Sequence, residues 1–73
     1  MTQHGKTITV TVNGKAERLP AGASVAALLT HLKLEALPAA VEVNKRVVPK
    51  RLHDQVVLQP NDVVEVVTLV GGG

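Results

Sequence analysis

The 73-residue chain has no cysteine, no phenylalanine, no tyrosine, no tryptophan and a single methionine. Without cysteine no disulfide can staple the fold and no thiolate-held zinc site exists, which argues against a small secreted scaffold. Without aromatic rings the core has to be built from Val, Leu, Ile and Ala. The same absence weighs against single-strand and RNA-binding modules, which depend on stacking bases against rings. No apolar stretch approaches the ~18 residues of a membrane span. No charged start leads into an apolar run either, so a soluble, cytoplasmic protein is expected.

What is present is aliphatic and balanced in charge. Hydrophobic residues make up 45% of the chain and the net charge is +2. At this length a single small domain is expected, burying only about 60% of its unfolded surface. Four of the eight basic residues sit together as Lys45-Arg46 and Lys50-Arg51 around Val47-Val48-Pro49. With no aromatic interleaving they read as a solvated basic loop, able to steer toward an acidic partner, and not as a nucleic-acid or membrane surface.

The pattern along the chain is that of a mixed α+β domain. Met1–Lys6 reads as a flexible extension. Thr7–Val12 alternates strictly, placing Ile8, Val10 and Val12 on one buried face. Asn13-Gly14 is a hairpin signal, because both residues tolerate positive φ; it needs no role beyond the turn. Lys15–Leu19 returns as a second strand, and Pro20-Ala21-Gly22 breaks it. Ser24 caps a helix whose apolar face is Val25, Leu28, Leu29 and Leu32, at i, i+3, i+4 and i+7. Ala27 replaces the acid of a capping box, and the helix is expected to end near Leu32–Leu34, before Pro38.

Ala39–Asn44 reads as a third strand, Asn44-Lys45 as a turn and Val47-Val48 as a short strand ended by Pro49. Lys50–Asp54 reads as irregular with Leu52 tucked inward, Val56–Leu58 as a brief extended piece, and Pro60-Asn61-Asp62 as a turn. Val63–Val70 is the last strand. It is apolar on both faces, which favours a central place in the sheet. If Glu65 points to solvent, so do Val63, Val67 and Leu69, and an apolar stripe of that kind marks a partner surface.

No catalytic set emerges. Ser24 is explained by its cap. His4, His31 and His53 fall in the extension, on the exposed side of the helix and in a loop, with no spacing that suits a metal. The remaining feature is Gly71-Gly72-Gly73, directly after the valine-rich strand. Free of Cβ atoms, the three glycines can thread a narrow channel, and the flexible tail 70–73 reaches on the order of 13 Å beyond the sheet. Its α-carboxylate, ionised at neutral pH, is a nucleophile toward the α-phosphate of ATP in an enzyme that holds both. The resulting acyl-adenylate would be open to a sulfur or amine nucleophile.

Taken in order, several segments resemble the ubiquitin-like β-grasp sulfur carriers, most closely the ThiS-like carriers of thiazole synthesis. They are Val12-Asn13-Gly14, Leu19–Leu29, Val41-Glu42-Val43-Asn44 with Val47-Val48-Pro49, Asp62–Val67 and Val70–Gly73. The resemblance covers about residues 7–73. Departures are modest: Lys33 stands where a helix-ending glycine is common, Leu52 where a tryptophan often follows, and Pro60-Asn61-Asp62 replaces an Asp-Gly-Asp turn.

The resemblance implies a β-grasp fold, with a four- to five-stranded mixed sheet and one main helix across one face. It also implies a protein co-substrate without catalytic residues or bound cofactor. Gly73 would be adenylated by an E1-like adenylyltransferase using ATP, then converted to a thiocarboxylate with sulfur from a cysteine desulfurase or another donor. Thiazole synthase would take up that sulfur, with Gly71 and Gly72 as the approach to the active sites. The small subunit of molybdopterin synthase, sharing this chemistry, and a ubiquitin-like protein modifier are the alternatives.

Overall fold

Six alternating residues form β1 (Thr7–Val12), and a two-residue turn returns the chain as β2 (Lys15–Pro20), antiparallel to it. The turn residues Asn13 and Gly14 have φ of 51° and 82°, the two positive values that a type I′ hairpin requires. The computed structural model describes residues 5–69; Met1–His4 and the expected tail Val70–Gly73 lie outside the described residues. β2 runs one residue further than expected, to Pro20. An edge strand tolerates proline there because one side of its ladder is unpaired.

The helix α1 (Val25–His31) starts at Ser24, whose Oγ accepts from the Ala27 N–H at 3.1 Å. The other N–H groups of its first turn are also satisfied. Val25 donates to the Val56 carbonyl at 2.9 Å, Ala26 to that of His53 at 2.7 Å and Leu28 to that of Ser24 at 3.0 Å. The segment after β4 therefore stitches the helix start to the body, filling donors that would otherwise be orphaned.

The helix stops at His31, with Leu32 as its C-cap, one residue short of the expected range. Lys33 has φ of 62°. Its N–H donates to the Thr30 carbonyl and that of Leu34 to the Leu29 carbonyl, the paired bonds of a Schellman ending. A lysine thus holds the left-handed position that glycine usually fills.

β3 (Ala39–Val43) and β4 (Arg46–Val48) form a second two-residue hairpin through Asn44 and Lys45, both at positive φ. Lys50–Leu52, read as irregular, is a 3₁₀ turn with Leu52 half-buried against the core. Ser24 and Val57 make one isolated antiparallel bridge. β5 (Val63–Thr68) is parallel to β1 and antiparallel to β3. The sheet order is β2-β1-β5-β3-β4, so β5 is central as its composition suggested.

Helix α1 covers one sheet face. Between them lie Val10, Leu19, Val25, Leu28, Val41, Leu58 and Val64, each essentially inaccessible to water. This aliphatic core supplies the burial that the missing aromatics would otherwise provide. Among the described residues no helix is long and apolar enough to cross a membrane.

Candidate functional site

β5 extends past the end of β1, because Thr11 and Val12 pair with Val63 and Val64 at its start. Beyond that point a side chain continues the ladder. The Asn13 N–H donates to the Val64 carbonyl at 2.9 Å. Its Oδ1 accepts from the Val66 N–H at 2.8 Å, and its Nδ2 donates to the Val66 carbonyl at 3.0 Å. This overturns the reading of Asn13 as a turn residue and nothing more.

Asn44 does a related job on the other side. Its N–H donates to the Val63 carbonyl at 2.7 Å, and its Oδ1 accepts from the Val63 N–H at 2.9 Å. Its Nδ2 donates to Asp62 Oδ1 at 2.9 Å, while Asp62 Oδ2 accepts from the Gln59 N–H. Both asparagines open type I′ turns, and the left-handed backbone aims each side chain back along β5. Past β5, the Leu69 N–H donates to the Pro38 carbonyl at 2.8 Å. The chain is therefore held up to Leu69, the last described residue before the glycines.

The face of the sheet away from the helix is uncovered. Val63, Val67 and Leu69 are 48%, 57% and 58% exposed, and Val47 on β4 is 69% exposed. Val64 and Val66 point the other way into the core, with Thr68 half-buried. The first three are the stripe expected from sequence; Val47 joins them because β4 pairs with β3. Gly71, Gly72 and Gly73, the other expected site residues, lie outside the described residues.

The remaining polar candidates are structural. Ser24 is engaged as the cap. His31 is exposed, and its Nε2 lies 3.3 Å from Glu17 Oε1 on β2. His53, expected in a loop, is buried, with Nε2 3.0 Å from the Val48 carbonyl. A carbonyl only accepts, so Nε2 carries the proton and donates. A groove of about 670 Å³ runs beside the helix, lined in part by Ala26, Leu29, Leu37, Ala39, Lys50 and Arg51. Among the described residues no cluster of His, Asp or Glu could hold a metal ion.

Comparison with known proteins fits this geometry. The uncharacterized protein ycf40 of Porphyra purpurea is 32% identical over 68 residues, covering 93% of this chain and 96% of its own length. A thiazole synthase of Paramagnetospirillum magneticum is 37% identical over 62 residues, which are 85% of this chain but 19% of that protein. The crystal structure of the thiamine biosynthesis protein ThiS from Geobacter metallireducens superposes with a TM-score of 0.75 at 32% identity. The match covers 90% of this chain and all of that one. Residues 5–73 match the ThiS family as a whole. With one helix laid across a mixed five-stranded sheet and a central last strand leading to the glycines, the chain belongs to the ThiS family, with its β-grasp fold.

Proposed function

We propose that this protein carries sulfur for thiazole formation in thiamine biosynthesis, on the carboxylate of Gly73. The observation that carries the reading is the family match, which runs from residue 5 through the three glycines. The firmly held strand before them and the likeness of this chain to a segment of thiazole synthases support it. The protein acts as a co-substrate and supplies no catalytic group. An E1-like adenylyltransferase joins the Gly73 carboxylate to the α-phosphate of ATP and releases pyrophosphate. Sulfur at the sulfide level, released by a thiol reductant from the persulfide of a cysteine desulfurase or supplied by another donor, displaces AMP and leaves a thiocarboxylate. Thiazole synthase then takes the sulfur.

The partners supply orientation and charge stabilisation, and the clamped β5 supplies a fixed origin for the tail. The setting is the cytoplasm. Family membership favours this pathway over molybdopterin synthesis, where the same chemistry would apply. Complementation separates the two. The gene should restore growth of a strain lacking its thiazole sulfur carrier without added thiazole. Rescue of a molybdenum-cofactor mutant in its place would overturn the assignment.

A further inference from the structure

Of the three asparagines in the chain only Asn13 is followed by glycine; Asn44 precedes Lys45 and Asn61 precedes Asp62. In an Asn-Gly pair the glycine nitrogen can attack the asparagine Cγ and close a five-membered succinimide. The Gly14 N–Cγ bond forms, the Cγ–Nδ2 bond breaks, and the Gly14 amide proton leaves with the ammonia. Water then opens the ring at either carbonyl carbon. The product is aspartate or, with the chain rerouted through the side-chain carbon, isoaspartate. Glycine favours the closure because no Cβ shields its nitrogen.

The turn itself is open. Asn13 and Gly14 are both exposed. Beyond its chain neighbours, no heavy atom lies within 4 Å of where a Gly14 side chain would stand. What restrains the carboxamide is Val66. Oδ1 accepts from its N–H at 2.8 Å and Nδ2 donates to its carbonyl at 3.0 Å, while the Asn13 N–H donates to the Val64 carbonyl at 2.9 Å. The atom that has to depart, Nδ2, is thus a donor in the ladder, and the carbon under attack lies between two held atoms. Making that carbon tetrahedral takes both out of the plane in which they meet Val66. Ring closure requires this clasp to open first.

We propose that Asn13 is a deamidation site gated by its clasp on Val66, protected in the closed fold and converted when the end of β1 and β5 separate. The proposal is independent of the sulfur-carrier reading. Either product makes the opening permanent. Aspartate keeps an acceptor for the Val66 N–H but turns a second oxygen toward the Val66 carbonyl, where no donor remains. Isoaspartate loses the carboxamide and adds a backbone carbon to a two-residue turn, whose strands pair Val12 with Lys15 and Thr11 with Ala16. Asn13 therefore records how often the edge of the central strand has opened. Asn44 holds β5 from the other side, but the Lys45 side chain after it hinders the same closure.

The test ages the full chain at mildly alkaline pH, with and without denaturing urea, and follows each asparagine by fragmentation that separates aspartate from isoaspartate. In urea Asn13 should convert about tenfold or more faster than Asn44 or Asn61. In native buffer its conversion should slow by about tenfold or more, in step with the protection of the Val66 amide from hydrogen exchange. Sub-denaturing urea should raise both rates together. The deamidated chain, separated by its added negative charge, should melt about 4–8 °C below the unmodified one. Native conversion as fast as in urea would overturn the gating, and so would an Asn13 no more labile in urea than the other two asparagines. A deamidated chain that melts with the unmodified one would overturn the claim that the product undoes the clasp.

Discussion

The carboxamide of Asn13 forms two hydrogen bonds with the backbone of Val66, fifty-three positions away in sequence. It stands in for a strand residue where β1 has ended and β5 has not. The central strand is thus anchored by a side chain on either side, by Asn13 at Val66 and by Asn44 at Val63. This arrangement makes a hairpin turn a clasp on the central strand as well.

Replacing Asn13 therefore affects more than the turn. Asn13→Gly keeps the positive φ without strain but removes both side-chain bonds. It should destabilise the protein by about 1–3 kcal/mol, at roughly 0.5–1.5 kcal/mol per bond. Asn13→Asp keeps one acceptor, loses the donor and faces a carboxylate toward the Val66 carbonyl, so a similar loss is expected. Urea unfolding followed by far-UV circular dichroism measures both, since the chain has no aromatic residue to report by fluorescence. Wild-type stability in both variants would show that the clasp contributes nothing.

Lys33 offers the opposite sign. Its φ of 62° places a side chain where left-handed geometry is costly for residues other than glycine and asparagine. Lys33→Gly should raise stability by about 0.5–1 kcal/mol, the relief of strain outweighing the added freedom of the unfolded chain. Thermal melting reads this directly, and a lower melting temperature would contradict it.

His53 ties the 3₁₀ segment to β4 through Val48, while its carbonyl receives the Ala26 N–H of the helix. His53→Ala removes a buried ring and its hydrogen bond and should cost about 2–4 kcal/mol. Because the ring serves structure, His53→Ala should be activated normally at temperatures where it stays folded. A selective loss of activation in the folded variant would assign it a chemical role.

Much of this is legible in the sequence. The Thr7–Val12 alternation, the Ser24 cap and the i, i+3, i+4 spacing from Val25 are local patterns with a physical cause, and each stands where its period put it. The central place of β5 follows from its two apolar faces. What could not be read is long-range. Nothing near Asn13 says that Val66 waits for its carboxamide, and nothing near His53 says that Val48 does. The addition of Val47 to the exposed stripe depends on strand register. The 3₁₀ turn at Lys50–Leu52 leaves no mark in the sequence, because three residues carry no period.

The tail chemistry makes its own demand. On the sulfur-carrier reading, Gly73→Ala adds one methyl group next to the carboxylate that is to be activated. It should leave melting unchanged while lowering kcat/KM for adenylation by about tenfold or more, if the activating channel admits only glycine. Deleting Gly72 and Gly73 should abolish activation altogether. Full activity in the deletion would reduce the tail to an idle appendage of an interaction module.

The most direct measurement is the intact mass of the chain after incubation with its adenylyltransferase, ATP and a sulfur source, the enzyme being shown active on another carrier. The account predicts a species in which one oxygen of the terminal carboxylate is exchanged for sulfur, localised to Gly73 by fragmentation and dependent on ATP. An unchanged mass, or a sulfur atom found anywhere but the last residue, would contradict it.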